Sequence, residues 1–214
     1  RHDLKKKMDE LVKKVKEIDV DEVKEQLQDK IAEIKSNESY YSYENLPKDY
    51  INAVIAVEDK RFFKHPGVDL ISIARAIVID IKEMEFKEGG STITQQLAKN
   101  IYFTQEKKMT RKVAEIFMAV ELEKKCSKEE IFELYVNTSY FGDGYYCVKD
   151  AAEGYFDKEP SQMNLYECTL LAGIPNAPSV YAPTKNPELS RQRQGQVVRK
   201  MLEQKYLTKE EASK

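Results

Sequence analysis

Apolar residues recur at helical spacing along most of this chain, and no series of alternating strands interrupts them. Leu4, Met8, Leu11, Val15 and Ile18 stand three or four apart, as one stripe of a helix requires. The phase breaks at IDVDE, where Asp19 and Glu22 have capping-box spacing, and resumes with Val23, Leu27, Ile31 and Ile34. Further on, DYINAVIAVEDKRFF, LISIARAIVIDIKEM, TRKVAEIFMAVELEKK, SKEEIFELYVN, DGYYCVKDAAEGYF, QMNLYECTLLAGI and RQRQGQVVRKMLEQKYL each read as helix. LISIARAIVIDIKEM is β-branched, but its length and lack of turn residues favour helix over strand. The expected fold class is mainly α.

The tyrosine-rich stretch SNESYYSYENLP, closed by a proline, divides the chain. Residues 1–44 are expected to form a charged amphipathic helical preface and linker, and residues 45–214 the main domain. The preface suits either a hairpin packed on something else or a membrane-proximal stalk. Lys plus Arg (35) nearly balance Asp plus Glu (37), which gives no case for nucleic-acid binding. No apolar run approaches the roughly 18 residues of a spanning helix. Arg1 in place of Met leads us to expect a signal or anchor upstream. Three cysteines without a CxxC pair argue against a disulfide scaffold and a zinc site, and read as free, partly buried thiols.

Three stretches carry chemistry. In AVEDKRFFKHPGVD, Glu58 and Asp59 end an apolar helical run, and a carboxylate held beside apolar walls such as Phe62 and Phe63 gains a raised pKa. That is what a general base needs near neutral pH; a surface Glu-Asp pair capped by His65 is the plain alternative. GGSTITQQLAKN is a dense run of neutral hydrogen-bonding side chains entering a helix. Its glycines allow close approach of a ligand, but it lacks the Gly-Lys-Ser/Thr order of a nucleotide loop. Capping by Ser91 and Thr92 would satisfy the first amides and leave Gln95 and Gln96 unexplained. In RKVAE, Arg111 and Glu115 lie four apart on one helical face, as a solvated ion pair would or as part of a site.

EDKRFFKHPG, GGSTITQQLAKN, RKVAEIFMAVELEKK with SKEEIFELYVN, YFGDG…AAEGYF, and LYECTLLAGIPNAPSVYAP stand in the order of the five motifs of peptidoglycan glycosyltransferases. The chain resembles that family, glycosyltransferase family 51, over residues from about 45 to 207. Its members are monofunctional transglycosylases or N-terminal domains of class A penicillin-binding proteins.

The resemblance implies a lysozyme-like helical head with a small membrane-associated jaw. It implies an enzyme that polymerises lipid II into β-1,4-linked glycan at the outer leaflet of the cytoplasmic membrane. The anomeric carbon would invert, and undecaprenyl pyrophosphate would leave. Glu58 matches the family's base and Glu115 its second essential glutamate. Ser91, Thr92, Gln95 and Gln96 would line the donor side, with Gly90, Thr94 and Asn100 in the same motif and Asp59, Phe62 and His65 beside the base. Lys99, Lys107, Arg111 and Lys112 are the cations available to a leaving pyrophosphate. No cofactor is required; a divalent cation such as Mg or Mn is admitted, with Glu115 its candidate ligand. Partners would be lipid II, the growing strand, the membrane surface and other cell-wall synthesis proteins.

Four positions depart from the family pattern. Lys107 stands where an arginine is expected, losing the bidentate fork, and Cys147, Lys149 and Asp157 replace a glycine, a glutamate and a glycine. SxxK and KTG, the marks of a transpeptidase, are absent from this chain. Two other readings stay open: a lysozyme-like enzyme that cleaves peptidoglycan, and a non-catalytic membrane-surface scaffold that would fail to bind a donor mimic such as moenomycin. Apolar residues between Ile71 and Phe86, and around Ile101, Tyr102 and Phe103, read equally as jaw surface or ordinary core.

Overall fold

The computed structural model describes residues 20–64, 92–102 and 108–213, with scattered residues before them; the side chains of Val20, Val23 and residues 108–114 are outside that description. The stripe from Leu4 to Ile18, the segment LISIARAIVIDIKEM, and Asp19, His65, Gly90, Ser91, Phe103 and Lys107 lie outside the described residues. Among the described residues the regular elements are all helical, so the fold is mainly α. None of the described helices is long and apolar enough to cross a membrane.

Helix α1 (Val20–Lys35) presents Leu27, fully buried, and Ile31 to the core. Lys35 pairs with Glu130 at 2.7 Å, and the Asn137 side chain bonds both the amide and the carbonyl of Tyr41 at 2.8 Å. This end of the preface therefore packs into the body of the domain. Burying one leucine-sized side chain contributes about 1.5–3 kcal/mol.

Helix α2 (Lys48–Glu58) is central because it is apolar on nearly every side: Tyr50, Ile51, Ala53, Val54, Ile55 and Ala56 are all buried. It stops at Asp59, whose extended φ of −158° leaves the helical region. Helix α3 (Ile93–Ile101) packs on α4 (Lys108–Lys125) and α5 (Lys128–Val136). Ile101 lies in the core, which favours the core reading of that position.

Helix α6 (Val148–Phe156) has Cys147 as its extended N-cap residue, so DGYYC precedes the helix and is not part of it. It ends at Asp157 with φ 54°, the left-handed position where glycine is the easiest residue. Helix α7 (Leu165–Gly173) is opened by Asn164 and Glu167 in a reciprocal cap. After α8 (Pro178–Tyr181), helix α9 (Pro187–Glu203) packs against both α7 and α2, and α10 (Lys209–Ala212) follows. The three cysteines are free and buried; burial raises Cys126 and Cys147 to about 11 and Cys168 to about 12.

Candidate active site around Glu58

Glu58 is the last residue of α2, with its side chain only 5% exposed. Burial raises its pKa above the ordinary 4.5, because a charge withdrawn from water loses hydration. Two donors pull the other way. Gln96 Nε2 donates to Glu58 Oε2 at 3.0 Å, and Arg193 Nη2 donates to Oε1 at 3.4 Å. The neighbouring Asp59 charge adds to the rise, and the net direction is up. The carboxyl thus has both properties of a general base: a positioned oxygen and a pKa moved toward neutral.

The polar run that enters α3 explains how Gln96 reaches Glu58. Thr92 is the N-cap, its hydroxyl accepting from the Gln95 amide at 3.1 Å, and Gln95 Oε1 accepts in return from the Thr92 amide at 2.9 Å. Gln95 is therefore part of the cap, contrary to the expectation that capping left it unexplained. The next amide, on Ile93, donates to Asp59 Oδ2 at 3.3 Å, tying the start of α3 to the residue after Glu58. One helical turn beyond the cap, Gln96 faces Glu58. Its Oε1 accepts from the Tyr135 hydroxyl of α5 at 3.2 Å. Of the adjacent glutamines, one builds the helix start and the other addresses the carboxylate.

The remaining expected residues take several places. Thr94 is buried and its hydroxyl donates to Glu123 Oε1 at 2.7 Å. Phe62 is fully buried, with Phe63 and Phe132 edge-on or tilted against it and Lys128 Nζ 4.8 Å from its ring centre. Lys99 is exposed; Asn100, also exposed, donates to the Thr138 hydroxyl at 3.3 Å. Glu115 is buried on α4, the helix packed against α3. Arg111 and Lys112 belong to the same helix, with side chains outside the description. Among the described residues, no set of three or more His, Cys, Asp or Glu gathers as a metal site. The structure thus brings together Glu58, Asp59 and Gln96 from two sequence-distant stretches.

Two residues at the site escape a reading of the sequence. Arg193 lies in what reads as a basic amphipathic helix, yet its side chain is only 12% exposed. Besides Glu58 it donates from Nε to the Gly173 carbonyl at 3.2 Å and from Nη1 to Gln196 Oε1 at 3.0 Å. Its guanidinium carbon also stands 5.5 Å from the Tyr181 ring centre. A signal was available: Arg193 stands four and eight residues before Val197 and Met201, both fully buried, which puts an arginine on the apolar face. Gly173 gives it room, since a β-carbon there would come within 2.7 Å of Arg193 Cγ. Tyr135 lies inside the motif stretch SKEEIFELYVN, but its neighbours Leu134 and Val136 make it look like one more core aromatic.

With this geometry in view, the chain was compared with known proteins. The transglycosylase family profile matches residues 24–202. Penicillin-binding protein 1A of Aquifex aeolicus is 42% identical over 172 residues, which are 80% of this chain and 24% of that protein. Penicillin-binding protein 1A of Vibrio cholerae is 46% identical over 168 residues, 78% of this chain and 20% of that one. A Cupriavidus necator protein that bears the transglycosylase name is 41% identical over 175 residues, covering 82% of this chain and 75% of its own length. The chain spans about a quarter or less of the two penicillin-binding proteins and three quarters of the third.

Proposed function

The chain belongs to the transglycosylase family, and on that premise we propose that it is a peptidoglycan glycosyltransferase that polymerises lipid II in cell-wall synthesis. Its donor is the growing strand on undecaprenyl pyrophosphate, and its acceptor is the sugar 4-hydroxyl of lipid II. Glu58 takes the hydroxyl proton as the oxygen bonds to the anomeric carbon. The bond from that carbon to the pyrophosphate breaks, its electron pair leaves with the phosphate, and the configuration inverts. A hydroxyl is a weak nucleophile, and a positioned base of matched pKa accelerates such an attack by about 10²–10⁴-fold.

The observation that carries this reading is the Glu58 carboxyl, buried at a helix end, raised in pKa and held by two donors from distant elements. Gln96 and Arg193 fix both carboxylate oxygens, so the base keeps its direction while the substrate docks. The Arg193 charge draws the Glu58 pKa down against the rise that burial causes. Charge on the leaving pyrophosphate falls to Lys99, Lys107, Arg111 and Lys112, with Glu115 orienting them; no step is routed through a metal. Such a lipid substrate places the domain at the extracytoplasmic face of the membrane.

Purified protein supplied with lipid II in detergent or vesicles is expected to form long glycan, read by gel or by release of undecaprenyl pyrophosphate. Glu58→Gln is expected to lower that rate by about 10²–10⁴-fold. Cleavage of finished glycan with no action on lipid II would overturn the polymerase reading.

A further inference from the structure

We propose that Tyr135 is a positioning residue for Glu58, acting through the side-chain amide of Gln96; this rests on the base role of Glu58 given above. Three helices meet in the arrangement. The Tyr135 hydroxyl of α5 donates to Gln96 Oε1 of α3 at 3.2 Å, and Gln96 Nε2 donates to Glu58 Oε2 of α2 at 3.0 Å. Tyr135 is 2% exposed, so its ring is clamped by the core, while Gln96 and the helix end it faces are only partly buried. The rigid partner therefore holds the less rigid one.

A primary amide carries a donor end and an acceptor end of nearly the same shape. With Glu58 ionised, only the donor end suits the carboxylate, which leaves the oxygen pointing away toward α5. A hydroxyl placed there holds the amide by its far end and polarises it, strengthening the N–H that faces Glu58. Burial also pushes the phenol of Tyr135 well above its ordinary 10, so it remains an O–H donor wherever Glu58 titrates. Other charges bear on the pair. Arg193 of α9 and Asp59 act on Glu58, and Glu58, Tyr50 of α2 and Arg193 act on Tyr135.

Removing the hydroxyl loosens the amide, weakens the donor on Glu58 and disfavours the ionised carboxyl. The Glu58 pKa then rises further, and less of the base is available at a given pH. Tyr135→Phe is expected to move the acid limb of the kcat/KM profile upward by roughly half to one pH unit, with kcat lowered and KM little changed. Gln96→Leu is expected to produce a shift of the same sign. The double variant should move no further than the larger single one, as members of one chain behave.

The second readout needs no lipid II: the Glu58 carboxyl titration followed by carbon-13 NMR, assigned by its loss in Glu58→Gln. It should show the same upward shift in both variants. A Glu58 titration unmoved in folded Tyr135→Phe, or additive shifts in the double variant, overturns the proposal. If Tyr135→Phe does not fold, an unmoved titration in Gln96→Leu does so alone. A parent chain that ignores lipid II sinks the polymerase reading, whereas the titration decides the role of Tyr135 separately.

Discussion

Helix α3 holds two carboxylates two residues apart in its own sequence, and it holds them differently. Thr94 donates to Glu123 at 2.7 Å, and Lys128 closes on the same oxygen at 2.7 Å. Gln96 donates to Glu58 at 3.0 Å, and Arg193 stands off at 3.4 Å. The first carboxylate has a hydroxyl and an ammonium at short range on one oxygen, the pattern of a locked structural joint. The second is more deeply buried, 5% against 15% exposed, yet its donors are longer and divided between its oxygens. Deep burial with loose pairing raises a pKa and leaves lone pairs able to take a proton. Neighbouring residues of one motif therefore hold a structural joint and the carboxyl proposed as the base.

The largest test of that contrast exchanges each glutamate for its amide. Glu58→Gln should lower the proposed lipid II polymerisation by about 10²–10⁴-fold and leave the fold intact. Glu123→Gln should keep the rate per folded molecule and lower unfolding free energy by about 1–2 kcal/mol, measured by denaturant titration. Equal activity losses in the two would erase the distinction.

Arg193→Ala removes the charge that draws the Glu58 pKa down, so the acid limb should climb and activity below it fall on the order of tenfold. Gly173→Ala, which crowds Arg193 Cγ, should shift the limb the same way by less. A limb moving to lower pH in either variant would contradict the role assigned to Arg193.

The raised Glu58 pKa also makes a stability claim whose sign is fixed. Between the ordinary 4.5 and the higher native value the folded state binds the extra proton, so the parent loses stability as pH rises through that window. Glu58→Gln escapes the loss, and its stability relative to the parent should grow by about 1.4 kcal/mol for each unit the native pKa is raised, then level off. Thermal melts across pH with a flat difference would exclude a raised native pKa.

The smallest expected effect concerns the third polar partner in this motif. Gln95→Ala opens the reciprocal cap with Thr92 and should cost about half a kcal/mol in unfolding free energy, without shifting the Glu58 titration. A shifted titration would mean that the helix start itself sets the base.

Much of this was legible beforehand because helices announce themselves locally. The stripe ending at Glu58 and the helices in SKEEIFELYVN and QMNLYECTLLAGI follow from spacing and residue type alone. The tie between Glu58 and the GGSTITQQ stretch was implied only by the family resemblance. What spacing could not distinguish was Gln95 from Gln96, since adjacent helical residues differ by about 100° and the facing elements decide which one reaches inward.

The sequence by itself determined a helical protein with a carboxylate at the end of its most apolar helix and a family pattern around it. Only the tertiary structure decided which donors reach that carboxylate. Gln96, Tyr135 and Arg193 lie 38, 77 and 135 residues further along. Gln96 and Arg193 meet Glu58 directly, and Tyr135 through Gln96, because α3, α5 and α9 are brought together around the core that α2 helps to form. A pKa depends on burial and on charges within a few ångströms, and neither quantity exists until the chain has packed.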